Sequence, residues 1–160
     1  MSPASPAAWN EDSARAIAAA HASTPGGLIN ALHAIQAAFG FVPKPAMLLL
    51  ADAFNISRAE VYGTASFYHD FRLDGPAGRH VLKLCRAEAC QANGCDATAE
   101  AARKKLGIGW GETTPDGEWT LEPAFCFGLC ANGPSAMIDG RLVARVDDEK
   151  VAALIDKAAP

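Results

Sequence analysis

The sequence has no apolar run near the roughly 20 residues that a membrane-spanning helix needs. The longest candidate, residues 46–54, is short and is interrupted by Asp52. The first ten residues are rich in Ala, Pro and Ser, and they lack the basic start and apolar centre of a signal peptide. We therefore expect a flexible tail over residues 1–10, no direct contact with a membrane, and a cytoplasmic location.

The sequence also lacks an excess of positive charge. It has 14 Lys and Arg residues against 18 Asp and Glu residues, which gives a net charge of −4. This small and mixed charge offers no basic face for phosphate groups, so we expect no nucleic-acid partner. Half of the 160 residues are apolar, which is enough for one medium domain or for a small domain with a helical extension.

Residues 11–74 are predicted to form a helical domain. An apolar stripe at spacings of four, three and four residues predicts a helix that Thr24 caps and Gly40 ends. Ser57 and Glu60 have the spacing of a capping box for a later helix. Short helices with short connections favour a compact bundle.

Residues 79–160 follow a turn-rich segment and carry short strand-like runs between helical patterns. The predicted elements are a strand at 81–84, a helix at 96–106, strands at 119–122, 136–138 and 142–146, and a helix at 148–158. Asp139-Gly140 is a strong signal for a two-residue hairpin turn. The fold class is therefore α/β, with an N-terminal helical bundle followed by helices packed on a small mixed sheet.

Four of the five cysteines form two pairs. Cys85 and Cys90 have four residues between them, and Cys126 and Cys130 have three. Each pair follows a predicted strand, so both pairs would converge at one end of the sheet if those strands are neighbours. Five cysteines in a reducing compartment indicate metal ligands or redox groups more than structural disulfides.

The spacing of the pairs leaves three kinds of site open. A [2Fe–2S] cluster takes four thiolates and needs backbone N–H groups aimed at its sulfurs, which Gly94 and the glycine-rich run 128–133 permit. Zinc in an assembly module also takes four thiolates, but its pairs are usually closer in sequence. A thiol–disulfide enzyme is the third alternative, although neither pair has the Cys-x-x-Cys spacing. The spacing favours the iron–sulfur cluster.

The same residues resemble a known family. The pattern is Cys-x4-Cys, a gap of 35 residues, and Cys-x3-Cys, supported by segments 62–68, 111–121 and 133–140. Over residues 25–158 the chain resembles the thioredoxin-like [2Fe–2S] subunit of NADH dehydrogenases and related complexes. The resemblance implies a thioredoxin-like domain over residues 79–160, and it implies one cluster held by Cys85, Cys90, Cys126 and Cys130.

The resemblance also implies a function and partners. Segments 67–72 and 84–91 look closest to the gamma subunit of soluble NAD-dependent formate dehydrogenases. This implies one-electron transfer to or from a flavin- and NAD-binding subunit, with a molybdenum-containing formate dehydrogenase subunit as a further partner. The equivalent subunits of respiratory NADH dehydrogenase and NAD-linked hydrogenase share most of the pattern and are alternatives. No catalytic residue is expected in this chain, and the helical domain is the predicted docking surface.

Two further predictions concern residues beside the ligands. Cys95 lies outside the four-cysteine pattern, and we interpret it as a partly buried thiol near the start of a helix. Phe125 and Phe127 flank Cys126 and are expected to shield the cluster from water.

Overall fold

The computed structural model describes residues 7–158, which fall into two compact units divided between Pro76 and Ala77. Each unit has its own hydrophobic core. Within residues 7–158, no helix is both long and apolar enough to cross a bilayer. The residues before Ala7, which belong to the predicted tail, lie outside the described part of the chain.

The first unit is built from four helices within its described residues. They are α1 (Glu11–His21), α2 (Gly27–Phe39), α3 (Lys44–Phe54) and α4 (Arg58–Phe67). Their apolar faces meet in one core, whose largest fully buried side chains include Leu32, Ile35, Leu50, Val42 and Val61. The capping box before α4 is confirmed, because Ser57 accepts the N–H of Glu60 and Glu60 accepts the N–H of Ser57.

The start of α2 differs from the prediction. The helix begins at Gly27 and not after Thr24, and Gly26 precedes it in the left-handed conformation, with φ of 71°. A Cβ atom at Gly27 would lie 2.1 Å from the carbonyl oxygen of His21. This close approach of the chain requires glycine, and it delays the helix until the turn is complete.

The described end of the predicted tail packs on the helices. Ala7 donates its backbone N–H to the carbonyl of Ala38, and the rings of Trp9 and Phe39 lie 5.0 Å apart. Asn10 caps α1 by accepting the N–H of Ser13. Residues 7–10 are therefore tied to the bundle by hydrogen bonds and ring packing.

The second unit is a four-stranded mixed sheet with helices. Its strands are β1 (His80–Cys85), β2 (Trp119–Ala124), β3 (Ser135–Ile138) and β4 (Arg141–Ala144), in the order β2-β1-β3-β4. Its helices are α5 (Glu88–Ala92), α6 (Cys95–Leu106) and α7 (Asp148–Ala158). The pair β1–β2 is parallel, whereas β3 is antiparallel to both β1 and β4. The α/β fold class and the mixed sheet are confirmed.

Local sequence accounts for the joints of this unit. Asp139 and Gly140 have φ of 48° and 80°, which gives the two-residue turn between β3 and β4. Gly107, with φ of 68°, ends α6 as predicted. The core beneath the sheet joins apolar side chains of β1, β2 and β3 to those of α6 and α7. The short helix α5 has no counterpart among the predicted elements.

Candidate metal centre

The two cysteine pairs start from the same edge of the sheet. Cys85 is the last residue of β1 and pairs in register with Ala124, the last residue of β2. Arg86 continues this pairing by donating its N–H to the carbonyl of Ala124 at 2.7 Å. The two parallel strands end at the same edge of the sheet. Cys126 follows two residues after Ala124, so it lies near the edge at which β1 ends with Cys85. The two strands are neighbours, which is the condition on which the expected convergence of the two pairs depends.

The first loop folds back through the helix α5. Ala87 precedes the helix in an extended conformation, and Cys90 donates its N–H to the carbonyl of Ala87 at 2.9 Å. This turn returns Cys90 to the region of Cys85, and both side chains are buried. The first pair is therefore enclosed by the protein.

The second loop holds its pair at the surface. Cys126 has φ of 89° and Gly128 has φ of 78°, so the chain turns sharply between the two cysteines. Gly128 donates its N–H to the Sγ of Cys126 at 3.3 Å, and the Sγ atoms of Cys126 and Cys130 lie 3.4 Å apart. Both side chains are exposed. An N–H aimed at sulfur is the donor that an anionic sulfur centre requires.

The structure also brings the two loops together. A Cβ atom at Gly133 would lie 3.2 Å from the Sγ of Cys90, so the segment after Cys130 passes directly over the first pair. Cys85 is hydrogen-bonded by the backbone of Cys126 and by the side chain of Cys90. All four predicted ligands thus converge on one site at the end of the sheet.

Hydrogen bonding changes the acidity of the enclosed thiol. Burial alone would raise the pKa of Cys85, but hydrogen bonds from the backbone of Ala87 and Cys126, and from the side chains of Cys90 and Ser135, outweigh it. The pKa of Cys85 therefore lies below its usual range. A thiol stabilised as the thiolate is better prepared to bind metal.

Cys130, in the exposed pair, has the opposite behaviour. The pKa of Cys130 is raised, first by its hydrogen bond with the Cys126 side chain, and then by the negative charge of Cys126. Weaker repulsion comes from Cys90 and Cys85. The neighbouring cysteines therefore oppose deprotonation of Cys130, and a positively charged metal centre beside it would relieve that repulsion.

The donor set at this end of the sheet fits a [2Fe–2S] cluster. It consists of four cysteine sulfurs from two loops, with a backbone N–H donor at Gly128 and with close approach of the chain at Gly133. Among residues 7–158, no three His, Cys, Asp or Glu side chains are grouped closely enough to hold a single metal ion. A two-iron cluster does not require such a group, because it takes two thiolates on each iron.

Cys95 lies beside the site without belonging to either loop pair. It is the first residue of α6, it is buried, and it packs in one apolar cluster with Cys85 and Cys90. Burial raises the pKa of Cys95, and the charge of Asp96 raises it further. The structure therefore places Cys95 at the start of the helix, as predicted, and buries it more completely than predicted.

The shielding prediction for the two phenylalanines is only half correct. Phe127 packs against the cluster of Cys85, Cys90 and Cys95. The Phe125 side chain is 76% exposed, so it covers nothing within this chain. The sharp turn at Cys126 explains the difference, because it separates the directions of the residues on either side.

Sequence reasoning did not identify Ser135 as part of the site. This residue opens β3 and is buried, and its Oγ lies 3.6 Å from the Sγ of Cys90. The signal available in the sequence was a hydroxyl residue at the start of a strand, directly after Gly133-Pro134. Nothing in that signal links it to the cysteines until the order of the strands is known.

Known proteins resemble this chain over most of its length. A subunit of the NADH-quinone oxidoreductase of Escherichia coli strain K12 is 39% identical over 130 residues, covering 81% of this chain and 77% of that protein. The HndA subunit of the NADP-reducing hydrogenase of Solidesulfovibrio fructosivorans is 32% identical over 130 residues, covering 81% of this chain and 75% of that protein.

A solved structure has the same fold. The NAD+-reducing [NiFe]-hydrogenase in its H2-reduced state matches with a TM-score of 0.70 and 30% identity. The match covers 82% of this chain but only 22% of the hydrogenase chain. The model of the thioredoxin-like [2Fe–2S] ferredoxin family matches residues 14–159. This chain therefore belongs to the thioredoxin-like [2Fe–2S] ferredoxin family, and that membership implies a [2Fe–2S] cluster.

Proposed function

We propose that Cys85, Cys90, Cys126 and Cys130 hold the [2Fe–2S] cluster. The observation that carries this proposal is the convergence of the two loops, with the segment at Gly133 passing over Cys90 while the backbone of Cys126 contacts Cys85. When bound, the cluster accepts and releases one electron at a time. The chain positions the sulfurs and supplies N–H donors. It does not itself make or break a bond in a substrate.

The surface at the second pair is the proposed entry and exit for electrons. Cys126 and Cys130 are exposed, and the exposed ring of Phe125 lies next to them in sequence. The enclosed pair has no comparable access to a partner. A partner that covers Phe125 would exclude water from this side of the centre, which the chain does not do by itself.

The proposed partner is a flavin- and NAD-binding subunit. The similar proteins are named as subunits or structures of enzymes that use nicotinamide nucleotides: an NADH-quinone oxidoreductase, an NADP-reducing hydrogenase and an NAD+-reducing hydrogenase. The match to only 22% of the hydrogenase chain supports a role as one part of a larger assembly. We place this assembly in the cytoplasm.

Within this class, we propose a soluble NAD-dependent formate dehydrogenase as the parent complex, with a molybdenum-containing subunit as a further partner. The support is the resemblance of segments 67–72 and 84–91 to its gamma subunit. The equivalent role in a respiratory NADH dehydrogenase or an NAD-linked hydrogenase is the second candidate, and the named relatives favour it.

The helical unit is the proposed docking surface. Phe67 is 73% exposed, and Tyr62 and Tyr68 are also exposed on the same part of the chain. A groove of about 680 Å³ runs beside them, lined by Leu28, Ile29, Ile56, Gly63, Thr64, Phe67 and Tyr68 among others. Large exposed apolar side chains around a groove mark a protein contact in many soluble proteins.

Affinity purification from the native host tests the assignment to a complex. Tagged chain, isolated without oxygen, should bring down a flavoprotein, and the preparation should reduce NAD with formate. NAD reduction with hydrogen, or NADH oxidation coupled to a quinone, would instead select one of the alternative complexes. Zinc without acid-labile sulfide would indicate an assembly module, and a metal-free protein with redox-active cysteines would indicate a thiol–disulfide enzyme.

A further inference from the structure

Ser135 occupies the position next to the enclosed cysteine pair. In the antiparallel register of β1 and β3, Leu84 pairs with Ala136, so the next positions along the two strands are Cys85 and Ser135. On its other side Ser135 pairs with Ala144 of β4, and its side chain is only 3% exposed. The hydroxyl is therefore held inside the sheet at the end that carries the cysteines.

The hydroxyl of Ser135 is directed at sulfur. Its Oγ lies 3.6 Å from the Sγ of Cys90, and its side chain also hydrogen-bonds Cys85. A buried hydroxyl without a partner loses its hydrogen bonds to water and gains none in return, so a serine in this place needs these contacts. Within the described residues, the side-chain partners of Ser135 are these two thiols.

Metal binding fixes the direction of these hydrogen bonds. A cysteine that binds a metal does so as the thiolate, which has no proton to give. The serine hydroxyl carries one proton and must therefore be the donor. Reduction adds negative charge to the centre and to its sulfurs, so a donor at this place interacts more strongly with the reduced state.

We propose that Ser135 is a positioning residue that raises the reduction potential of the centre, by donating its single hydroxyl proton to the thiolate of Cys90 or to that of Cys85. The inference rests on the proposed function, because it requires these two cysteines to be ligands. It concerns the enclosed side of the centre, where solvent does not compete for the sulfurs.

Redox titration of three variants tests this role. Ser135→Ala removes the hydroxyl donor, and Ser135→Thr keeps it. Thr120→Val is the control, because it removes another buried hydroxyl at the end of β2 that is farther from the cysteines. Thr120 accepts the N–H of Gly78 at 2.7 Å and bonds Thr113, far along the strand from Ala124. At the wild-type midpoint potential, the reduced fraction of Ser135→Ala should fall below one half, whereas Ser135→Thr and Thr120→Val should remain near it.

The result that overturns the inference is an unchanged midpoint in Ser135→Ala, or an equal shift in Thr120→Val. A second readout does not depend on the variants folding equally well. In reduced wild-type protein exchanged into D2O, pulsed electron paramagnetic resonance should detect a strongly coupled exchangeable deuteron that Ser135→Ala lacks. Absence of any [2Fe–2S] signal in the wild-type protein overturns the proposed function as well, whereas a normal signal with an unshifted potential overturns only the role of Ser135.

Discussion

The Sγ atoms of Cys126 and Cys130 lie 3.4 Å apart, and both side chains are exposed. Cys85 and Cys90, which belong to the same site, are buried. The proposed centre would therefore have one enclosed pair of sulfurs and one pair at the surface. This asymmetry follows from the two loops, since the helix α5 folds the first pair inward and the turn at Gly128 leaves the second outside.

Thiol labelling of the metal-free chain should reveal this asymmetry. Iodoacetamide should modify Cys126 and Cys130 well before Cys85, Cys90 and Cys95, because only the first two are exposed. The pKa of Cys130 is raised, so its thiolate forms at higher pH than that of an ordinary thiol. Its labelling rate, followed by peptide mass spectrometry, should therefore still increase with pH after a free cysteine has levelled off.

Protein that contains the cluster is the matched comparison for this labelling. Cys126 and Cys130 should then be protected although they remain at the surface, because a bound thiolate no longer reacts freely. Equal labelling of these two cysteines with and without the cluster would speak against their role as ligands.

Substitution of single cysteines should distinguish the four proposed ligands from the neighbouring Cys95. Cys85→Ala, Cys90→Ala, Cys126→Ala and Cys130→Ala should each lose most of the bound iron and acid-labile sulfide. Cys95→Ala is the control, since Cys95 is buried in the same apolar cluster. It should keep the cluster and lower the free energy of unfolding by about 1 kcal/mol. Loss of iron in Cys95→Ala with retention in Cys90→Ala would reverse the assignment.

Close packing at Gly133 provides a steric test of the site. A Cβ atom there would lie 3.2 Å from the Sγ of Cys90, so Gly133→Ala should displace that sulfur and reduce the yield of assembled cluster. Gly75→Ala is the control, because a Cβ atom at Gly75 meets nothing within 4 Å and its φ is not positive. Iron content per purified chain measures both. A full complement of iron in Gly133→Ala would show that the loop carrying Cys90 can move to accommodate the added methyl group.

Much of the fold was predictable because its signals are local. Helix caps such as Ser57 with Glu60, the turn at Asp139-Gly140 and the helix end at Gly107 each depend on a few neighbouring residues. Each cysteine pair follows a predicted strand, which places the two loops at one end of the sheet if those strands are neighbours, and β1 does pair with β2.

The features that were missed depend on backbone geometry and on contacts that the sequence pattern does not encode. Gly27 starts α2 late because its backbone meets His21, and the periodicity of the helix carries no information about that contact. Ser135 reaches Cys90 across 45 positions of the chain, which no local pattern encodes. Phe125 was expected to be covered because it is aromatic and adjacent to a ligand, but the backbone turn at Cys126 decides its direction.

The docking role of the helical unit can be tested without disturbing its core. Phe67→Ser and Tyr62→Ser change exposed side chains, so they should alter the free energy of unfolding by no more than about 0.5 kcal/mol. They should nevertheless reduce recovery of the flavoprotein with the tagged chain. Leu142→Ser, an exposed apolar position on β4, is the control and should leave recovery unchanged. Normal recovery with the double variant Tyr62→Ser and Phe67→Ser would place the docking surface elsewhere.

A truncated chain that starts at Gly75 also tests the proposed roles of the two units, with docking in the helical unit and the cluster in the second. The second unit has its own core and all four proposed ligands, so the truncated chain should still bind iron and sulfide. It should not recover the flavoprotein. Loss of the cluster on truncation would mean that the helical unit supports the centre itself.

The most direct test of the proposed centre is metal and sulfide analysis of the wild-type chain purified without oxygen, combined with electron paramagnetic resonance after reduction. We predict about two iron atoms and two acid-labile sulfides per chain, and a signal of about one unpaired electron per chain that appears only on reduction. Zinc without sulfide, or a chain without metal whose cysteines change oxidation state under mild reductant, would contradict the assignment.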